Sequence, residues 1–127
     1  MKLILAVIRI AKMQETKEAL ADAGLPSFTA MSVLGRGQGH GDLDKIKAAI
    51  YDAEQKQAAL ELIPEVPRLK SKRMITLVVN DDKKDIAIET ILKVNQTGKS
   101  GDGKIFVVEA LGSYSVHSGE SGNATLD

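Results

Sequence analysis

The order strand, helix, strand occurs twice in this chain, and that repetition limits the available folds more than any other feature. "KLILAVIRI" (Lys2 to Ile10) is an apolar run of strand length, rich in branched residues. "KMQETKEALADAG" follows with Met13, Thr16, Leu20 and Ala23 at helical spacing, and Gly24 suits a helix stop. "PSFTAMSVLG" predicts a second strand, with Phe28, Ala30 and Ser32 on one face and Thr29, Met31 and Val33 on the other. The second half repeats the plan. "RMITLVVN" is a strand, "DKKDIAIETILKVNQ" a helix capped by Asp81 or Asp82 with Ile88, Ile91 and Leu92 as its buried stripe, and "KIFVVEALG" the fourth strand. Two β-α-β units sharing one sheet give an α+β, ferredoxin-like sandwich with both helices on one face. The other face then needs cover, and self-association is the simplest way to supply it.

Composition decides what such a core is made of. Hydrophobic residues are 43% of the 127 but aromatics only 3%, so the core must be aliphatic. A single domain of this size leaves much of its surface unburied, which again favours an oligomer. Lys plus Arg and Asp plus Glu both number 17, so no global basic field points to nucleic acid. The absence of Cys excludes disulfides and thiolate chemistry and fits a reducing compartment. Arg9 interrupts the first apolar run, no small-residue cleavage site follows, and no run is long enough to span a bilayer. The expectation is a cytoplasmic protein without membrane insertion.

Between the two halves lies an insert, about residues 35–71, far longer than a median connection. It opens with "GRGQGHG". This fails the dinucleotide fingerprint because His40 stands where the third glycine belongs; alternating glycines suit a hinge or a close ligand approach. "DLDKIKAAIYDAEQKQAALELI" then places Leu43, Ile46, Ala49, Ile50 and Ala53 on one helical face, ended by Pro64 and Pro67. Such a helix either folds onto its own domain or is offered to a partner.

"TGKSGDGKIF" (Thr97 to Phe106) is the chemically richest stretch. Gly98 to Lys104 reads G-x-x-x-x-G-K, but Ile105 occupies the place of the magnesium-binding Ser or Thr. The helix also precedes the glycines and a strand follows, the reverse of a P-loop. Two readings remain. Closely spaced glycines can aim backbone N–H groups at an anion, with Lys99 and Lys104 adding charge. Alternatively Gly98 is a helix stop at C′ followed by a tight turn.

These residues resemble those of the PII signal-transduction proteins. "TGKSGDGKIFV" before the last strand, "GRGQGHG" at the base of the insert, "SKRMITLVVNDD" as the third strand and the late "SGESG" match that family across nearly the whole chain except the middle of the insert. The resemblance implies one PII-like domain over residues 1–127, a trimer, and ATP or ADP bound between subunits. It also implies Mg-ATP with 2-oxoglutarate as effectors, and a long T-loop, here the insert, that docks to a target. "GRG", the enlarged insert and "KVNQTG" are similar to the nitrogenase-associated branch, most of all to its second paralogue. That branch implies a non-enzymatic inhibitor of nitrogenase acting as a homotrimer or as a hetero-oligomer with a second PII-like chain. By the same resemblance Thr29, Gly35, Gly37, Gln38, Gly101, Asp102, Gly103 and Lys104 form the nucleotide site, and Lys72, Gly39 and Gly41 the 2-oxoglutarate site. The resemblance also makes Gln38 the expected magnesium ligand, and the amphipathic stripe makes Leu43, Ile46 and Ile50 the expected partner contacts.

The chain departs from the pattern in places. Ser115 and His117 stand where the family has two phosphate-gripping arginines, and neither offers a fixed, forked cation. The family's magnesium-binding glutamine falls at Gly39, with Gln38 one place early, and Thr76 replaces a common Glu. These changes put any preference for triphosphate in doubt. Tyr51 reads as an ordinary helix residue. Alternatives are a PII-type regulator of an ammonium transporter or a glutamine synthetase, and an enzyme such as an acylphosphatase on the same fold. The last lacks support, because "RIAKMQ" has no glycine cradle after the first strand. His40 and His117 lack the ligand spacing of a metal site of their own.

Overall fold

The computed structural model describes residues 1–37 and 69–127. Strand β1 (Lys2–Ile8) leads through a 3-10 turn (Ile10–Lys12) into helix α1 (Met13–Asp22) and strand β2 (Thr29–Gly35). Strand β3 (Lys70–Val79), a 3-10 turn (Asp81–Lys83), helix α2 (Lys84–Asn95) and strand β4 (Gly103–Glu109) follow. The sheet order is β2-β3-β1-β4, with β1 antiparallel to both neighbours. This is the ferredoxin-like arrangement that the repeat predicts. The chain divides into two compact units, residues 1–33 with 71–127, and residues 34–70. Of the second, the described residues are the end of β2, Arg36, Gly37, Leu69 and the first residue of β3.

The core lies in the first unit and follows the period of two along each strand. Ile4, Ala6 and Ile8 of β1 are buried with Ile75, Leu77 and Val79 of β3. The register sets Ala6 between Ile75 and Ile105, and Ile4 between Leu77 and Val107, so all of these share one face. Leu20 of α1 and Ala87 and Ile91 of α2 belong to the same buried cluster, with Met13, Phe28, Ile88 and Ile105 packed against it. The opposite face carries Leu5 and Val7 of β1 half-buried, and Phe106 and Val108 of β4 exposed.

Helix α1 ends as its glycine predicts. Gly24 takes φ +82°. Its N–H donates to the Ala21 carbonyl at 3.0 Å, and the Leu25 N–H to the Leu20 carbonyl at 2.8 Å. This is the Schellman arrangement, in which a hydrophobic pair closes the last turn. Leu20 and Leu25 form that pair and are fully buried, each contributing about 1.5–3 kcal/mol of transfer free energy. The two helices also meet through a polar contact. Buried Asn95 donates to the Thr16 hydroxyl at 3.0 Å and to the Ile91 carbonyl at 2.9 Å, while Thr16 donates to the Lys12 carbonyl at 2.7 Å.

Several local expectations are corrected. Neither Asp81 nor Asp82 caps α2 through its side chain; the helix begins at Lys84 after the 3-10 turn. Asp81 instead faces the Met1 amino group at 3.0 Å and Lys2 Nζ at 3.6 Å, a stronger attraction for a carboxylate than a neutral N–H. The buried stripe of α2 is Ala87, Ile91 and Asn95, and Leu92 is exposed, because the helix is rotated to bring its small Ala against the core. Gly98 is not at C′: α2 ends at Asn95 with Gln96 as cap, which leaves Thr97 at C′. Strand β2 is exposed at Ala30, Met31 and Ser32, so its alternation does not report a buried face.

One close approach locks β1 to β4. Gly103 has φ +118°, and a Cβ there would lie 1.9 Å from the Val7 carbonyl oxygen. Gly103→Ala is expected to cost on the order of 3 kcal/mol in urea unfolding. Gly24→Ala, where nothing lies within 4 Å of the added carbon, should cost only about 1–2 kcal/mol. Equal losses at the two positions would contradict the register.

Candidate functional site

The connection from α2 to β4 is built around one carboxylate. After the Gln96 N–H donates to the Leu92 carbonyl at 2.8 Å, the chain leaves the helix and folds over Asp102. Asp102 Oδ2 accepts from the Thr97 N–H at 2.8 Å and the Gly98 N–H at 2.9 Å. Its Oδ1 accepts from the Thr97 hydroxyl at 2.5 Å and from the Arg9 guanidinium. The Lys99 N–H donates back to Thr97 Oγ1 at 3.2 Å. Arg9 Nη2 donates to the Ser100 carbonyl at 2.9 Å, and Lys72 Nζ to the Gly101 carbonyl at 2.8 Å. Gly98 and Gly101 both take positive φ, at +81° and +92°, which lets the chain reverse twice within a few residues.

The Thr97 hydroxyl, then Arg9, then the N–H groups of Thr97 and Gly98 hold the Asp102 carboxyl well below the usual carboxylate range. The folded state thus favours the ionised form. Its contribution is fully present above that range and is lost as the pH falls through the lowered value.

The amides of Thr97, Gly98 and Lys99 are consumed inside the loop. Among the described residues, those of Ser100 and Gly101 have no acceptor, the Asp102 N–H closes the turn over them, and the ammonium groups of Lys99 and Lys104 have no anionic partner. Two consecutive unpaired N–H groups flanked by two cations can receive a phosphate or carboxylate oxygen. The loop also forms one end of a groove of about 410 Å³ that continues along Ile88 and Leu92 of α2 and Val107 of β4.

Lys72, in β3, is brought to Gly101. Thr29 opens β2 and stands with Thr76 and Val78 in a separate hollow of about 310 Å³, walled also by Thr125, Leu126 and Asp127. Strand order places Thr29 and Lys104 on opposite edge strands. At the usual strand spacing the two edges lie about 14 Å apart. Gly35 is the last residue of β2 and Gly37 lies just beyond it. Gln38, Gly39, Gly41, Leu43, Ile46 and Ile50 lie outside the described residues. Ser115 and His117 sit in the hairpin-like segment joined by the Tyr114–Ser121 bridge, where the Ser115 N–H donates to the Glu120 carbonyl at 2.8 Å. Among the described residues, no group of three or more His, Cys, Asp or Glu side chains is placed to hold a metal, and no helix is long and apolar enough to cross a membrane.

Sequence reasoning missed Arg9 and Thr97. Arg9 registers only as an interruption of an apolar run, and Thr97 only as the start of a glycine stretch. The available signal was a lone charge at the end of an otherwise apolar strand, in the half-chain that pairs with the Asp102 loop.

Residues 1–120 match the family described as "Nitrogen regulatory protein P-II". The chain is 40% identical to "Nitrogen fixation nifHD region GlnB-like protein 2" of Methanobacterium ivanovii, covering 99% of each chain. It is 39% identical to the "Nitrogen fixation nifHD region glnB-like protein 2" of Methanococcus maripaludis, covering 99% of this chain and 100% of the relative. It is 33% identical to "Nitrogen regulatory protein P-II 1" of Escherichia coli (strain K12), again over 99% and 100%. A match of this length, on a ferredoxin-like sheet with the loop of Asp102 at its edge, places the chain in the nitrogen regulatory protein P-II family.

Proposed function

We propose that this chain is a cytoplasmic, non-enzymatic regulator that senses adenine nucleotide together with 2-oxoglutarate and reversibly inhibits nitrogenase by direct binding. The observation that carries the sensing half is the loop itself: the unpaired amides of Ser100 and Gly101 stand between Lys99 and Lys104. Phosphate oxygens suit these donors, and Lys72 beside Gly101 suits a carboxylate. In this reading Asp102 does not touch the ligand through its carboxylate; it holds the loop. Gln38 assists Mg-ATP, and Gly39 and Gly41 approach the dicarboxylate with Lys72. The nitrogenase half rests on the names of the nifHD-region relatives.

The placement of Thr29 bears on assembly. A nucleotide touching both Thr29 and the Gly101–Lys104 loop is easier to accommodate between two copies than within one, since the two groups lie on opposite edge strands. The exposed Phe106 and Val108 give such an assembly an apolar surface to bury. The native form is a homotrimer or a hetero-oligomer with a second PII-like chain. Light scattering on the purified chain should return the mass of three chains, and a stable monomer at micromolar concentration would remove the shared site.

Calorimetry with ADP should show one site per chain. Lys104→Ala should weaken it by about 1.5–3 kcal/mol, the range for a charge-assisted hydrogen bond. Because Ser115 and His117 replace arginines, ATP and ADP should bind with similar affinity. Unchanged affinity in the Lys104 variant would exclude that residue from the site.

The target-contacting element is the stretch 42–63, with Leu43, Ile46 and Ile50 as apolar anchors. Effector at the "GRGQGHG" base shifts this insert only through its differential affinity for the insert's conformations. Charge substitution at Ile46 and Ile50 should abolish inhibition of nitrogenase while leaving oligomeric state and nucleotide affinity intact. Loss of the oligomer instead would assign the stripe to the protein's own packing.

A further inference from the structure

We infer that Arg9 is a positioning residue for the ligand at the Ser100–Lys104 loop, holding that loop in its anion-receptive form; the inference rests on the nucleotide reading above. The register of β1 against β4 determines where Arg9 must be. Ile8 pairs with Gly103, so the next residue of each strand, Arg9 and Asp102, emerge opposite one another. The Arg9 backbone is held as well, since its carbonyl accepts from the Lys12 N–H at 3.1 Å. From there the two arms of one guanidinium separate. Nη1 pairs with the Asp102 carboxylate and Nη2 reaches the Ser100 carbonyl at 2.9 Å.

Both contacts act on the same geometric problem. Pulling the Ser100 carbonyl toward β1 turns the peptide that follows it, which carries the Gly101 N–H, the opposite way. Anchoring Asp102 keeps its carboxylate turned inward on Thr97 and Gly98, away from an incoming anion that it would repel. Arg9 Nη2 would lie 3.5 Å from a Cβ at Gly101, with Lys72 Nζ 3.6 Å from the same point. Both are ordinary contact distances, so the two cations pack directly against the Gly101 backbone, and it is the φ of +92° that calls for glycine there. Lysine offers a single point charge and cannot span the carboxylate and the carbonyl together, whereas the guanidinium fork can. A partly exposed ion pair by itself contributes little to global stability, so the consequence of losing Arg9 should appear in the loop more than in the fold.

The test uses the full chain and ADP. Wild type, Arg9→Gln and Arg9→Lys are compared by calorimetry, by thermal unfolding, and by amide hydrogen exchange at Thr97 and Gly98 without nucleotide. Arg9→Gln is expected to bind ADP about ten- to a hundredfold more weakly, the span of one lost charge-assisted bond. Arg9→Lys should recover part of that loss. The Thr97 and Gly98 amides should exchange faster in Arg9→Gln while its melting temperature stays close to that of wild type. Wild-type affinity in Arg9→Gln overturns the inference. If Arg9→Gln fails to fold, Arg9→Lys decides: full affinity overturns the inference and an intermediate value upholds it. A flat ADP isotherm for wild type overturns the nucleotide reading, and the inference with it. That result is distinct from equal binding by wild type and variant.

Discussion

The position of β1 between β3 and β4 is the constraint from which the rest follows. Each of its seven residues pairs on both sides, Lys2 with Val79 and Glu109 at one end and Ile8 with Arg73 and Gly103 at the other. Every buried side chain of the sheet takes its face from that double register, because a one-residue slip on either side would turn Ile4, Ala6 and Ile8 away from the helices. Gly103 makes the slip difficult. Its missing side chain admits the Val7 carbonyl, and any other residue at that register would collide with the backbone.

The same register delivers the chemistry. A sheet edge is where a loop can carry unpaired backbone groups without burying them, and β4 is an edge strand. The loop entering it satisfies its first three N–H groups internally and leaves those of Ser100 and Gly101 without an acceptor among the described residues. Asp102 lets one loop do both. Its two oxygens gather four donors from Thr97, Gly98 and Arg9, so the only carboxylate in the loop is neutralised locally while the surrounding cations keep the site attractive to anions. A loop of this kind depends on its neighbours for shape. Arg9 comes from the end of β1 and Lys72 from the start of β3, and both donate to loop carbonyls.

Much of this was legible in the residues, for reasons that can be named. The branched runs at Leu3–Ile8 and Met74–Val79 have strand length and lie beside helical spacings, so order and fold class followed. Gly24 announced its helix end because the Schellman turn there uses only local atoms. Gly98 misled as a helix stop for the complementary reason: α2 ends at Asn95, whose side chain turns inward to Thr16 on the other helix, a contact that is seventy-nine residues distant in sequence. Leu92 was placed in the core by spacing alone, but the rotation of α2 is decided by what it packs against. Asp81 reads as a cap until the chain start, far away in sequence, supplies a charged partner.

By itself the sequence determined the repeat of β-α-β units, the aliphatic core and the cluster of glycines and lysines between α2 and β4, because each of these is a property of neighbouring residues. The tertiary structure alone decided what the members of that cluster do. Gly103 is required by a carbonyl of β1, Asp102 faces its own loop, Arg9 grips that loop from the end of β1, and Thr29 stands at the opposite edge of the sheet. The physical reason is the antiparallel register. It brings residues more than ninety positions apart into hydrogen-bond range, and no local pattern in either segment records which residue will face which.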